Sequence, residues 1–482
     1  MDDYRRIADR IAGDIAAGRL RPGQQLPPQR AFARRHRIAP STAGRVYAEL
    51  VRRGLVVGEV GRGTFVRATA PDGQPGHALV EAAAGRPGLV NLELNYPVLP
   101  GQAELLAASL SAQLHPDALG QALRPAAVAG TPAARQAVAA LLGRSGPRTD
   151  PERILFTGNA RQAIAAGLAA LVRPGGRVGV EPLTYPLVKE IAARLGLVLV
   201  PLRADPEGVL PEAVAAAHRS APLSALYLQP SLHNPTARTM GEDRRRQLAK
   251  TVHRLGMPVV EDRIWSFLQP GGPPSLAALA PGLVYQVDGL SKRVAPGLTI
   301  GFIVVPEGTG GPEGPEGPEE AEGPGGPGRP AGPGRAAVAR AIRSGGWNAG
   351  GFALEAAVRW LEEGIVDRLV AAKRADARRR HRLLVRELAG FAVRSDPAAC
   401  FAWWELPAPW RADTFTAAAW AHGIAVTPGT AFAVDPSHTP DAVRLGLASE
   451  PEPVLARALR TLAAVARGGP AAAGADTGSA RP

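Results

Sequence analysis

From about residue 90 to residue 466, short apolar segments alternate with Ala/Leu-rich stretches of helical period. This alternation limits the possible folds more than any other feature of the chain. The apolar segments read RILFTGN, RVGVEP, LVLVPL, ALYLQP, PVVEDR, LVYQVDGL and TIGFIVV. Short buried runs separated by helix-length connections predict a mostly parallel sheet with crossover helices. An apolar content of 45% is enough for an ordinary globular core. At 482 residues the chain is long for one domain, so two or three folding units are expected.

The first 67 residues follow a different rule. In DYRRIADRIAGDIAAG, Ile7, Ile11 and Ile15 recur every fourth position, which predicts an amphipathic helix over 3–18 ended by Gly18. LPPQRAFARRH reads as a short second helix. PSTAGRVYAELVRRG reads as a third, with Ser41 or Thr42 as N-cap and Gly54 as stop. LVVGEVGRGTFV then alternates like a hairpin with a glycine-rich tip. Three helices and a two-stranded wing make a winged helix-turn-helix. The net charge of the whole chain is +13, and this segment holds 14 arginines against 6 acidic residues, a net of +8. A basic module of this kind points to double-stranded DNA, although charge alone also fits a solvated arginine-rich face.

Residues 68–89 are rich in Pro, Gly and Ala without periodicity and read as a linker. Residues 306–335 form a Pro/Gly/Glu insertion unable to bury a core, expected to be a disordered loop inside the 90–466 domain. The Gly/Ala-rich tail, 467–482, is expected to be disordered too. One cysteine, Cys400, leaves no intramolecular disulfide and no Cys-rich metal site, so no metal is expected and a reducing cytoplasm fits. MDDYRRIADR is charged from its start, unlike a signal peptide, and no apolar run approaches the ~18 residues of a membrane span. The expectation is a soluble, cytoplasmic protein with no membrane partner.

Among the basic residues only four are lysines: Lys189, Lys250, Lys292 and Lys373. Lys189, Lys250 and Lys373 lie in helical patterns beside other charges and read as solvated faces. Lys292 alone sits where a strand gives way to a Pro-Gly turn, in GLSKRVAPGLTIGF. Carbonyl chemistry through an imine needs an amine that can lose its proton, which arginine cannot provide. A lone loop lysine is ordinarily a solvated side chain, but Lys292 has company. Asp262 ends the strand PVVE, Asn234 lies in LYLQPSLHNPT, and Tyr185 follows the strand of RVGVEP. Gly158 and Asn159 open a helix whose backbone N–H groups suit a phosphate. Pyridoxal 5'-phosphate needs such a set: an amine, a carboxylate on its ring nitrogen, a donor to its phenolic oxygen, a stacking ring and an anion seat.

In this order the set resembles the aspartate aminotransferase-type (fold-type I) pyridoxal-phosphate enzymes over roughly residues 90–466. The resemblance implies an α/β fold with a mostly parallel sheet and a smaller C-terminal α+β subdomain. It gives Lys292 the role of the Schiff-base lysine and Asp262 that of the ring-nitrogen partner. Asn234 becomes the oxygen donor, Tyr185 the stacking ring, Gly158 and Asn159 the phosphate turn, and Arg444 of AVRLGLA the substrate-carboxylate clamp. The N-terminal segment looks like the DNA-binding domain of GntR-type regulators, which implies DNA contacts by Arg30, Ser41 and Thr42, and by Arg62 and Gly63 at the wing tip. Arg45 is a further phosphate contact, since Pro40 and Gly44 stand where basic side chains often occur. Together the two parts resemble MocR-type transcriptional regulators.

The departures fall mostly where the phosphate would sit. Family members usually carry Arg at Thr299, often Ser at Gly289, and a tyrosine from the neighbouring subunit shortly before Gly130. Trp265 replaces a tyrosine. Arg293, beside the lysine, is the candidate to supply the missing positive charge; its other reading is a surface arginine. The function implied is a homodimeric regulator that senses pyridoxal phosphate, an amino compound, or both. The alternatives are a working aminotransferase with a secondary DNA-binding domain, and a cofactor-free scaffold. WWEL (403–406) and its neighbours do not define an effector pocket.

Overall fold

The computed structural model describes residues 3–16, 19–20, 24–53, 55–59, 63–66, 88–111, 114, 116, 119–120, 123–144, 146–308 and 333–475. These pack as two units. One draws on Met1–Asn95, Arg382–Arg394 and Phe401–Pro482, the other on Tyr96–His381 and Ser395–Cys400.

In the first unit, α1 (Asp3–Ala16), β1 (Gln25–Leu26), α2 (Gln29–His36), α3 (Pro40–Arg52), β2 (Val56–Glu59) and β3 (Gly63–Val66) form the winged helix-turn-helix. The fourfold spacing in α1 brings Ile11 and Ile15 into one buried cluster with Phe32, Val46, Tyr47, Leu50, Val56 and Val66, while Ile7 packs at its edge. Each full burial of such a side chain is worth roughly 1.5–3 kcal/mol. The Tyr47 hydroxyl donates to the carbonyl of Pro27, so its polar end is satisfied within that core. Two details differ from the sequence reading. The wing sheet has three strands in the order β1-β3-β2, because Gln25 and Leu26 pair with Phe65 and Thr64. The N-cap of α3 is Ala39, not Ser41 or Thr42, because Pro40 takes the first helical position, where its missing N–H costs nothing.

A short strand, β4 (Val90–Asn91), also belongs to the first unit. The second unit is built on β5 (Ile154–Thr157), β6 (Arg177–Val180), β7 (Val198–Pro201), β10 (Ala225–Leu228), β11 (Val259–Asp262), β12 (Val284–Gly289) and β13 (Gly301–Val304). A small hairpin of β8 (Ala204–Asp205) and β9 (Gly208–Val209) stands apart from that sheet. The order is β5-β13-β12-β11-β10-β6-β7. Only β13 is antiparallel to its neighbours, so β5, β6, β10, β11 and β12 all end at the same edge. Most of these strands are buried along their length, as a sheet covered on both faces requires.

The rest of the first unit is α+β. Strands β14 (Ala392–Arg394), β15 (Phe401–Glu405), β17 (Thr427–Pro428) and β18 (Ala442–Gly446) make an antiparallel sheet ordered β14-β15-β18-β17, while β16 (Ile424–Ala425) runs parallel with β4. The helices Ala412–Ala421 and Glu452–Ala475 help to bury Trp404, Trp410, Phe415, Leu445, Leu459 and Leu462 in its core. The last helix passes residue 467, where the tail was expected to begin, and breaks at Gly469 (φ 72°). Of the linker, 68–87 lies outside the described residues, as do 309–332 of the insertion and 476–482 of the tail. Among the described residues no helix is long and apolar enough to cross a membrane.

Candidate functional site

The edge where the parallel strands end carries Gly158, Asn159, Tyr185, Asn234, Asp262 and Lys292 on or just after those strands. Thr157, Gly301 and Gly289 lie side by side there, so the turn after β5 and the turn after β12 become neighbours across β13. Asn159 caps the helix Ala160–Leu171, its side chain accepting from Gln162 N at 3.1 Å. Gly301 is obligatory for this closeness: a Cβ there would lie 2.1 Å from the Asn159 carbonyl carbon and 2.5 Å from Ala160 N. Tyr185 caps the helix Pro186–Arg194 after β6. Asn234 follows β10 and Asp262 closes β11.

A buried network holds the carboxylate. Asp262 Oδ2 accepts from the Tyr227 hydroxyl at 2.7 Å and from Gln229 Nε2 at 3.2 Å, and Oδ1 accepts from Ile264 N at 3.0 Å. Gln229 Oε1 accepts from Asn234 N at 2.7 Å, and Gln229 N donates to Glu181 Oε1 at 2.9 Å. Burial pushes Asp262 up to about 6 and Glu181 up to about 7. Burial also drives Tyr227 well above the usual phenol range, so it stays a donor to Asp262. His233, beside Asn234, meets Thr236 Oγ1 and the Leu183 carbonyl, and burial lowers it to about 4, leaving a neutral ring. Tyr227 and Gln229 were missed in the sequence. Their signal was a polar Tyr227 on an otherwise apolar strand and, two residues on and just past its end, the polar Gln229.

Lys292 is half-buried after β12, with Nζ 3.8 Å from the Tyr96 ring centroid and 5.0 Å from that of Trp265. Arg293 corrects an expectation. Its guanidinium turns back onto Asp288, Nη1 to Oδ1 2.5 Å and Nη2 to Oδ2 2.8 Å, and Nη1 also donates to the Gly289 carbonyl. Both side chains are buried, so Arg293 neutralises a core carboxylate; it is not a surface arginine, and this orientation gives no support to a phosphate role. Lys373 corrects another: it has no exposed surface, and Nζ donates to the Lys292 and Val294 carbonyls.

Arg444 lies in the other unit, buried on β18 between Trp403 of β15 and Thr427 of β17. Nη2 donates to the Glu93 carbonyl and to Thr427 Oγ1, and the guanidinium stands 5.6 Å from the Phe432 ring centroid. Burial raises the Glu93 carboxyl to about 7 against the opposing pull of Arg444. In the winged domain Ser41, Thr42 and Arg45 share the first turns of α3, with Ser41 and Arg45 exposed. Arg30 is exposed on α2 and Gly63 opens β3, while Arg62 lies outside the described residues.

Residues 88–462 match the family model described as aminotransferase class I and II, well over half of the chain. The chain belongs to that family. Residues 3–66 match the bacterial regulatory proteins of the gntR family. A GntR domain followed by a class I and II aminotransferase domain is the architecture of MocR-type regulators. The chain is 28% identical over 453 residues to the HTH-type transcriptional regulator YdeF of Bacillus subtilis (strain 168), covering 92% of this chain and 90% of the relative. It is 25% identical over 305 residues to the HTH-type pyridoxine biosynthesis transcriptional regulator PdxR of Corynebacterium glutamicum, covering 62% and 65%. Among solved structures, LysN, an α-aminoadipate aminotransferase from Thermus thermophilus, matches with a TM-score of 0.67 at 22% identity, over 79% of this chain and 93% of that one. That likeness establishes the fold.

Class I and II aminotransferases depend on pyridoxal phosphate, and the described residues fit the ring of that group. One end of the Asn234 amide, Oδ1 as assigned, is buried with no hydrogen-bond partner among the described residues, as is Glu181 Oε2. Asp262 is a buried carboxylate whose hydrogen-bond donors are all neutral, so a ring N–H⁺ would supply the missing counter-charge. At the phosphate end, Gly289 and Thr299 bring neither the hydroxymethyl nor the guanidinium usual in the family.

Proposed function

We propose that this chain is a cytoplasmic, homodimeric transcriptional regulator that reads double-stranded DNA through residues 3–66. Its aminotransferase-like domain then takes up pyridoxal phosphate and an amino compound. The observation that carries this reading is the coexistence, in one chain, of a winged helix-turn-helix and a set of half-buried Lys292 with buried Asp262 and Asn234. When bound, pyridoxal phosphate supplies an aldehyde that condenses with amines and a ring that takes up electron density.

In this reading Lys292 offers its amine to the aldehyde and Asp262 accepts a hydrogen bond from the ring nitrogen. Asn234 donates to the phenolic oxygen, and Tyr185 covers one face of the ring. The N–H groups that open the helix Ala160–Leu171, after Gly158 and Asn159, receive the phosphate. Arg444 pairs with a carboxylate on the amino compound. Arg30, Ser41 and Thr42 read bases, and Arg45, Arg62 and Gly63 meet the backbone. Sensing needs only exchange of one amine for another, so the altered phosphate end is compatible with it. A working aminotransferase is the second reading, favoured by the same ring-binding set.

Selection of full-length protein on random duplex DNA, with and without pyridoxal phosphate and a panel of amines, tests the proposal. It predicts one enriched sequence whose affinity changes when cofactor and amine are added. Enrichment of no sequence, together with steady keto-acid release from an amino acid, would establish the second reading instead.

A further inference from the structure

Asp262 closes β11, whereas Asn234 lies in the connection after β10, so their spacing depends on what joins the two strand ends. One side chain does. Gln229, the first residue after β10, is buried, and its amide reaches both partners. Oε1 accepts from Asn234 N at 2.7 Å, and Nε2 donates to Asp262 Oδ2 at 3.2 Å. A backbone N–H can only donate, so the amide oxygen must face Asn234 and the NH2 end must face Asp262. The main chain of Gln229 is pinned in turn, its N–H donating to Glu181 Oε1 at 2.9 Å.

We propose that Gln229 is the positioning residue for the cofactor ring: it sets Asp262 and Asn234 at one spacing, so that ring nitrogen and phenolic oxygen are held together. The proposal rests on the reading of Asp262 and Asn234 as the ring's partners. In pyridoxal phosphate those two atoms lie on one edge of the ring, separated by a single ring carbon. A fault in the spacing of their partners therefore costs both contacts at once.

The other polar contacts act on one partner each. The Tyr227 hydroxyl donates to Asp262 Oδ2 at 2.7 Å and Ile264 N donates to Oδ1 at 3.0 Å, and neither bonds to Asn234. His233 meets Thr236 Oγ1 and the Leu183 carbonyl, which steadies the Asn234 connection without reaching Asp262. Among the described residues, Gln229 alone is hydrogen-bonded to both.

Calorimetric titration of the full chain, freed of cofactor, tests the proposal in wild type, Gln229→Met, Gln229→Asn and Tyr227→Phe. Three probes are compared: pyridoxamine phosphate, which has no aldehyde to condense with Lys292, its analogue with carbon in place of the ring nitrogen, and its analogue lacking the phenolic oxygen. Met matches the length of Gln without the amide, and Asn keeps an amide one methylene shorter. Wild type is expected to bind the parent about tenfold more tightly than either analogue. In the Gln229 variants both preferences should shrink to about threefold or less, whereas Tyr227→Phe should keep the phenolic-oxygen preference of wild type. Equal loss of affinity for all three probes, with both preferences kept, would make Gln229 a merely structural residue and overturn the proposal. Loss of one preference alone overturns it too. Both are read in whichever Gln229 variant keeps the wild-type circular dichroism. A wild type with neither preference would remove the reading of Asp262 and Asn234 as ring partners, and the proposal with it.

Discussion

The Arg293 guanidinium lies across the Asp288 carboxylate in a two-pronged, buried pair. Removing one partner of such a pair strands the other charge, which typically costs 3–5 kcal/mol, whereas replacing both with apolar groups is often neutral. Arg293→Ala is therefore expected to lower unfolding stability by about 3 kcal/mol in urea titrations. The double change Arg293→Met with Asp288→Leu should recover most of that loss. Its affinity for pyridoxal phosphate should stay within about threefold of wild type, ~0.7 kcal/mol. A tenfold loss of affinity in the stable double variant would return Arg293 to the phosphate.

Restoring the serine usual at Gly289 is expected to harm the protein. A Cβ there would stand 2.7 Å from the Ile300 carbonyl oxygen and 3.2 Å from Gly301 Cα, both backbone atoms of limited freedom. Gly289→Ser should cost about 1–3 kcal/mol, as overpacking does, and should not tighten cofactor binding. Isothermal titration of the folded variant checks the second point. Gly301→Ala, which meets the Asn159 backbone, should displace the Gly158–Asn159 turn and, where that turn receives the phosphate, weaken binding tenfold or more, ~1.4 kcal/mol.

Glu181 gives a pH signature. Its folded pKa of about 7 lies above the ordinary carboxyl value, so between the two the folded state holds the proton more tightly than the unfolded chain does. Stability is then complete at low pH, falls as pH rises towards about 7, and remains lowered above it. Glu181→Gln keeps an acceptor for the Gln229 N–H and removes the titration. The variant should match wild type near pH 4.5 and exceed it by about 3 kcal/mol at pH 8, read from urea midpoints. Equal stability at both pH values would contradict the assignment.

Arg45 is exposed on the first turns of α3, its guanidinium carbon 4.1 Å from the Tyr4 ring centroid. As a phosphate contact it should lower the slope of log affinity against log salt by about one when changed to Ala, on every duplex alike. Arg30→Ala should instead relax preference among sequences. The reverse pattern in fluorescence anisotropy would exchange the two roles.

The strand ends were legible because apolar runs stopped at Gly, Pro, Asn and Asp. That was enough to place Asn159, Asn234, Asp262 and Lys292 at one edge once a parallel sheet was inferred. What the sequence hid were relations across the fold. Nothing local says that Arg293 reaches back over its own turn to Asp288, or that Gly289 is closed off by Ile300. Lys373 was half-legible: Leu369, Lys373 and Ala377 share one helical face, but the surrounding arginines drew the reading towards solvent. The third wing strand was invisible because two residues, Gln25 and Leu26, carry no periodic signal.

In this reading Lys292 carries the cofactor in a chain that binds DNA. It is tested most directly by adding pyridoxal phosphate to the purified full-length protein, reducing with borohydride, and locating the added mass by peptide mapping. The expected result is an absorbance band lost on reduction and a cofactor-derived mass on the peptide containing Lys292, absent in Lys292→Ala. A mass on Lys189, Lys250 or Lys373 instead, or no added mass with cofactor in excess, would contradict it.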